Sequence, residues 1–185
     1  RLQILRDGQI YTLDYDYLVI AAGVEYDWDA VPGASHAHSF YSMQTSLRLR
    51  RKLNTFRKGK IVVAISALPY KCPPAPYEAA MLLDWQFTRR GYRNDIDIEV
   101  TTPEPAPLPV AGAEAVLRLG RALQRKRISL RTGVGVTEID SKGREVAFNN
   151  GESTDLNLLI TVPIHIPSGL VRNTNLIGKN GWVAV

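Results

Sequence analysis

Residues 69–78 read PYKCPPAPYE and place a thiol, Cys72, between a cation, Lys71, and an acid, Glu78. The preceding GKIVVAIS is a continuous apolar run, as in a buried strand. The following AAMLLDWQFTRRG alternates as a helix and ends at Gly91, a natural helix stop. The stretch is therefore a strand-to-helix turn. In α/β proteins that turn commonly cradles a phosphate with glycines. Here it holds no glycine, four prolines and the only cysteine of the chain.

A thiol at a helix start can work as a nucleophile or a redox group, because the helix N-terminus favours the thiolate and Lys71 adds a positive neighbour. The prolines hold φ near about −65° and stiffen the loop around the sulfur. Pro76 is acceptable within the first helical turn. Glu78 falls on that turn, where it can transfer protons beside the sulfur. The plainer alternative is that Cys72 is a small packing residue and Glu78 a first-turn acid set against the helix dipole.

A GxGxxG fingerprint after KIVVAI would fall at about Ser66, Leu68 and Lys71, so side chains fill the space a pyrophosphate needs. This argues against ordinary NAD(P) binding on a scaffold that otherwise suits it. The elements that position the turn follow a β-α-β order. KIVVAI is a strand, a helix runs from about Ala75 to Arg90, and DIDIEVTT is a second strand. PEPAPLPVAG is too rich in proline for regular structure, and AEAVLRLGRALQRKR forms the next helix. ISLRTGVGVTEIDSKGREVAFNNG reads as strands around the turns Ser141–Gly143 and Asn149–Gly151, and LNLLITVP as a further buried strand. Upstream, RLQIL and QIYTL form a hairpin, DYLVIAAG reads as a strand covered on both sides, and a helix runs from Ser42 to about Phe56. Strands alternating with helices predict an α/β fold, a Rossmann-like parallel sheet flanked by helices.

The 185 residues carry 45% hydrophobic and 22% charged side chains, an ordinary globular balance. No apolar run approaches the roughly 18 residues that span a bilayer. One cysteine and three scattered histidines leave no metal site and no internal disulfide to expect. The net charge of +5 is concentrated in Arg48–Lys60 and Arg118–Arg131, which read as solvated helix faces or as an attraction for acidic lipid or nucleic acid. No nucleic-acid motif accompanies them, and no nucleic-acid partner is expected. The chain starts within a β pattern and ends at GWVAV, which looks like one more strand, so it reads as an internal piece of a longer protein.

YDYLVIAAG, PYKCPPAPYEAA and VPIHIPSGLVRNTNLIGKNGWVAV together resemble the sulfide:quinone oxidoreductase and flavocytochrome c sulfide dehydrogenase flavoproteins. These lie within the FAD-dependent pyridine nucleotide-disulfide oxidoreductase superfamily. The first block is specific only to the superfamily. The cysteine turn is much more specific, and the order and spacing of the blocks agree over nearly the whole chain. The resemblance implies that FAD lies between two similar domains. Sulfide attacks a cysteine bridge near it, and electrons pass through a thiolate and the flavin to a quinone or a cytochrome. Cys72 matches the cysteine of the turn, Glu78 a nearby acid, and Ala22 and Gly23 a stretch that lies along FAD.

On this basis residues 1–33 end an FAD-binding domain, 34–163 form a degenerate NAD-binding-like domain, and 164–185 return toward the first. A second redox cysteine and a glycine-rich FAD turn do not occur in the sequence, so FAD is expected in the parent and not on this chain alone. Sulfide and quinone are the expected substrates, with peripheral membrane contact and a homodimer through strand edges as expected associations. The competing readings are an NADH-dependent quinone or ferredoxin-type reductase, and a non-enzymatic basic module that docks on acidic lipid or nucleic acid.

Overall fold

The computed structural model describes residues 1–184. The chain divides into two compact units, 1–24 with 167–185, and 25–166.

The larger unit is built on four parallel strands in the order β10 (Leu158–Val162), β4 (Gly59–Ile65), β5 (Ile96–Thr101), β6 (Ile128–Arg131). Strand β4 lies between two parallel neighbours, pairing with β10 on one side and β5 on the other. Its period-two alternation explains its uninterrupted hydrophobicity. Ile61, Val63 and Ile65 face one core with Leu49, Tyr77, Leu83 and Phe87, while Val62 and Ala64 face another with Val136, Val146 and Phe148.

Helices α1 (Met43–Thr55), α2 (Ala75–Arg89) and α3 (Ala113–Arg125) contribute Leu49, Phe87 and Leu123 to the first core, so all three lie against one face. The other face is covered by an antiparallel meander of β7 (Val136–Ile139), β8 (Glu145–Phe148) and β9 (Ser153–Asp155). The sequence predicts helices flanking the sheet, and on this face the strands around the turns Ser141–Gly143 and Asn149–Gly151 stand instead.

Local signals set the boundaries. Ser42 and Thr45 form a reciprocal capping box at the start of α1. Gly91, at φ +78°, follows the end of α2. Gly59, at φ +110°, starts β4 against the Asn157 side chain, where a Cβ would collide with the carboxamide that accepts from Lys60 N at 2.8 Å. On the meander side, Glu99 of β5 is buried and bridges its neighbour strands, to Lys60 Nζ at 2.6 Å and Arg131 at 3.0 Å.

The smaller unit holds the hairpin β1 (Leu2–Arg6) and β2 (Gln9–Leu13) and the single-turn α4 (Gly169–Arg172). The expected strand DYLVIAAG is not formed. Residues 17–23 are exposed and carry no strand, with Tyr17 93% and Val19 88% exposed. Apolarity suits a central strand, but a strand exists only where neighbours pair its backbone groups, and no described strand flanks this segment. The short strands β3 (Val24–Asp27) and β11 (Ile164–Pro167) pair with each other. At the end of the chain a single bridge, Ile177 to Val183, stands where a strand was expected, and Val185 lies outside the described residues. None of the described helices is long and apolar enough to cross a membrane.

Candidate functional site

Cys72 lies beyond the C-terminal end of β4 and three residues before α2, the place where open α/β sheets receive ligands. The side chain is exposed. Its backbone is left-handed at φ +58°, a region that few non-glycine residues occupy and that the surroundings must impose. The surroundings do so through carbonyls. Ala75 N donates to Cys72 O at 2.9 Å and closes the turn. The Tyr41 hydroxyl donates to Lys71 O at 3.0 Å, and the Tyr70 hydroxyl to Pro73 O at 3.1 Å. Both carbonyls flanking Cys72 are thus held by tyrosines. The prolines shape this turn, but hydroxyls anchor it.

Lys71 sends its ammonium over aromatic faces, 5.2 Å from the Tyr26 ring centroid and 5.9 Å from that of Tyr41. His165 packs edge-on against the same two rings. Its Nδ1 lies 2.8 Å from Pro163 O, and its buried Nε2 has no hydrogen-bond partner among the described residues. Burial lowers the His165 pKa. The Pro163 contact opposes that shift and the Lys71 charge adds to it, so the ring is held neutral at neutral pH. Burial raises the Tyr41 pKa, with nearby Cys72 and Tyr26 adding to the rise, which keeps its hydroxyl a donor.

Glu78 stands in the first turn of α2 and is exposed. It lines a cavity of about 380 Å³ between α1 and α2 with Phe40, Leu49, Leu53 and Leu82, and Cys72 is not among the lining residues. Its carboxylate makes no hydrogen bond or ion pair among the described residues. The fold brings Cys72 and Glu78 to one helix start without joining them.

The acid that does reach the turn is Glu104, which carries no motif in the sequence. It is buried, and its Oε2 accepts from Tyr77 at 2.9 Å, Tyr70 at 3.2 Å and Thr102 at 3.2 Å. Burial, and next the Glu104 charge, raise the pKa of both tyrosines, so both remain donors. In a dinucleotide-binding unit an acid beyond the first helix takes the ribose hydroxyls. Here three protein hydroxyls take that role. The signal for Glu104 lay in PEPAPLP, where prolines pointed only to irregular chain.

Ala22 and Gly23 lie in the smaller unit. They line a cavity of about 150 Å³ with Ile20, Ser168 and Trp182. Gly23 is left-handed at φ +66°, with nothing within 4 Å of the place a Cβ would take. The buried Ser168 hydroxyl has no hydrogen-bond partner among the described residues. The sequence has no GxGxxG for the pyrophosphate. Gel filtration of the 185-residue chain after incubation with FAD should therefore leave no more than about a tenth of an equivalent of flavin absorbance, because a cofactor held on one edge does not offset the entropy lost on binding. Stoichiometric retention would show a complete site in this chain.

The basic clusters are partly absorbed by structure. Arg118 pairs with Glu114 at 2.7 Å, Lys126 with Asp84 at 2.8 Å, and Arg131 with Glu99 and Glu152. Arg57 lies over the Tyr92 ring.

Residues 45–103, which include the Cys72 turn, match the family described as sulfide dehydrogenase (flavocytochrome c) flavoprotein chain, central. The mitochondrial sulfide:quinone oxidoreductase of Dictyostelium discoideum is 21% identical over 94% of this chain and 40% of its own length. That of Schizosaccharomyces pombe is 24% identical over 97% of this chain and 43% of its own length. The crystal structure of the sulfide:quinone oxidoreductase from Aquifex aeolicus superimposes with TM-score 0.73 at 22% identity, covering 96% of this chain and 43% of that one.

The chain is similar to these proteins over most of its length. It spans well under half the length of the relatives it matches. The structural likeness confirms the α/β fold, with its parallel sheet and helices.

Proposed function

We propose that this chain is the thiol-bearing central part of an FAD-dependent oxidoreductase that oxidises sulfide, or another sulfur species, through Cys72 and passes the electrons to a quinone. The observation that carries the reading is the turn after β4, which presents an exposed thiol where a nucleotide-binding unit has glycines. Its sulfide:quinone oxidoreductase relatives support the same assignment. In this reading residues 1–33 and 164–185 belong with the flavin-binding domain, residues 34–163 form the degenerate nucleotide domain, and Ala22 and Gly23 lie along FAD. A bound flavin supplies a two-electron acceptor.

The chain supplies the rest. Cys72 is the nucleophile and redox thiol, held in place through the carbonyls of Lys71 and Pro73. Glu78, exposed and without an ion-pair partner among the described residues, exchanges protons with solvent at the helix start. The quinone implies peripheral contact with a membrane, for which the exposed arginines of α1 and α3 are suited. The exposed hairpin edge in residues 1–13 suits a homodimer. The engagement of Lys126 and Arg131 with acids weighs against a nucleic-acid module.

An NADH-dependent reductase is disfavoured because Glu104 is already occupied by protein hydroxyls. The complete flavoprotein, mixed with sulfide and a short-chain quinone, should reduce the quinone at a rate that depends on sulfide, and NADH should not bleach its flavin. Rapid bleaching by NADH with no response to sulfide would replace the proposal with the NADH reading.

A further inference from the structure

We infer that Tyr70, oriented by Glu104, is a positioning residue for Cys72, a role that rests on reading Cys72 as the reactive thiol.

Cys72 sits in a conformation that its own chemistry does not favour, so other groups must hold the turn. Tyr70 precedes it by two residues, and the Tyr70 hydroxyl reaches Pro73 O, one residue beyond it. The hydroxyl has one proton and two acceptors, Pro73 O at 3.1 Å and Glu104 Oε2 at 3.2 Å. The two acceptors share that proton, so the carboxylate holds the hydroxyl at the place where it also meets Pro73 O.

The same oxygen accepts from Tyr77 in the first turn of α2, and the Tyr77 hydroxyl in turn accepts from Leu108 N at 3.4 Å. Glu104 is itself fixed at the end of β5, where its N–H donates to Thr102 Oγ1 at 3.1 Å and Gly133 N donates to its carbonyl at 2.9 Å. One buried carboxylate thus locks the segment before the cysteine, the helix after it and the neighbouring strand end into one unit. A buried carboxylate without a cation is costly unless its hydrogen bonds are good, and those to a charged acceptor are the stronger kind. Such a group is a rigid fixture, which a sulfur that must meet a second reactant in one orientation requires.

Cys72 is the sole cysteine, so alkylation with iodoacetamide reports on this thiol alone. In the folded chain, Tyr70→Phe should speed Cys72 alkylation at least threefold by freeing the turn. It should also accelerate amide hydrogen exchange in residues 70–78 while leaving β4 protected. Glu104→Ala should behave like Tyr70→Phe. Glu104→Gln keeps an acceptor oxygen and should stay within threefold of the parent. Ile98→Val, a buried change in β5, lowers stability without touching this network and should leave the alkylation rate unchanged. An alkylation rate in Tyr70→Phe less than threefold faster than the parent, or an equal acceleration in Ile98→Val, overturns the assignment. If Tyr70→Phe does not fold, Glu104→Ala decides through exchange. Faster exchange confined to residues 70–78 supports the role, and exchange there unchanged from the parent, or loss there equal to the loss in β4, overturns it. Alkylation reads where the thiol is held and not what it reacts with, so a failure of sulfide oxidation would leave this result standing.

Discussion

If the proposed function holds, replacing Cys72 with serine should lower sulfide-dependent quinone reduction by the complete flavoprotein at least about a thousandfold, the scale on which loss of a catalytic nucleophile is felt. Serine is close in size and keeps a polar group at an exposed position, so the fold is preserved. What it lacks is a redox-active sulfur. No other cysteine in the chain can substitute. The Tyr41 and Tyr70 anchors act on carbonyls and not on the sulfur, so they remain in place in the variant. The measurement is initial rate against sulfide concentration, normalised to bound flavin. A loss of less than about tenfold would return Cys72 to the role of a packing residue and move the chemistry elsewhere.

Arg93→Ala destabilises the larger unit by about 3–5 kcal/mol, the range for breaking a buried ion pair from one side. Arg93 and Asp84 keep only 9% and 11% of their side-chain surface exposed, and they meet at 2.7 Å. The guanidinium also donates to the carbonyls of Ile96, Lys126 and Arg127 and so ties the start of β5 to the end of α3. Removing it orphans these carbonyls and leaves the buried Asp84 charge with Lys126 alone. A domain of this size should lose roughly 10 °C or more in Tm.

The effect depends on pH with a definite sign. Burial by itself would raise the Asp84 pKa, but hydrogen bonds from Lys126 and Arg93 and their positive charges more than offset it and hold it below its ordinary value. A depressed carboxylate pKa stabilises the fold above the unfolded value near 3.9 and stops doing so as pH falls through the folded value. Thermal melts of the parent and Asp84→Asn should therefore differ most near neutrality and converge in acid. A Tm for Arg93→Ala within about 2 °C of the parent would show that the network is not holding the sheet to its helices.

The sequence by itself determined the Cys72 turn. The apolar run of β4, the helical pattern after Ala75 and the stop at Gly91 are local signals, and their order alone puts a thiol at a strand end with no phosphate loop. The boundaries of α1 and α3 were legible for the same reason, since capping and periodicity act within a few residues. Tertiary structure decided what depends on partners far along the chain. Residues 17–23 have the composition of a buried strand, yet a strand needs neighbours to pair its backbone, so composition misled. Glu78 is near Cys72 in sequence, whereas Glu104, 32 positions beyond Cys72, is the acid tied to the turn, because parallel pairing of β4 and β5 brings their ends together. Tyr41 reaches the turn from 31 residues upstream of Cys72. Neither contact leaves a periodic trace, because a hydrogen bond between distant side chains requires only that the sheet place both ends within about 3 Å.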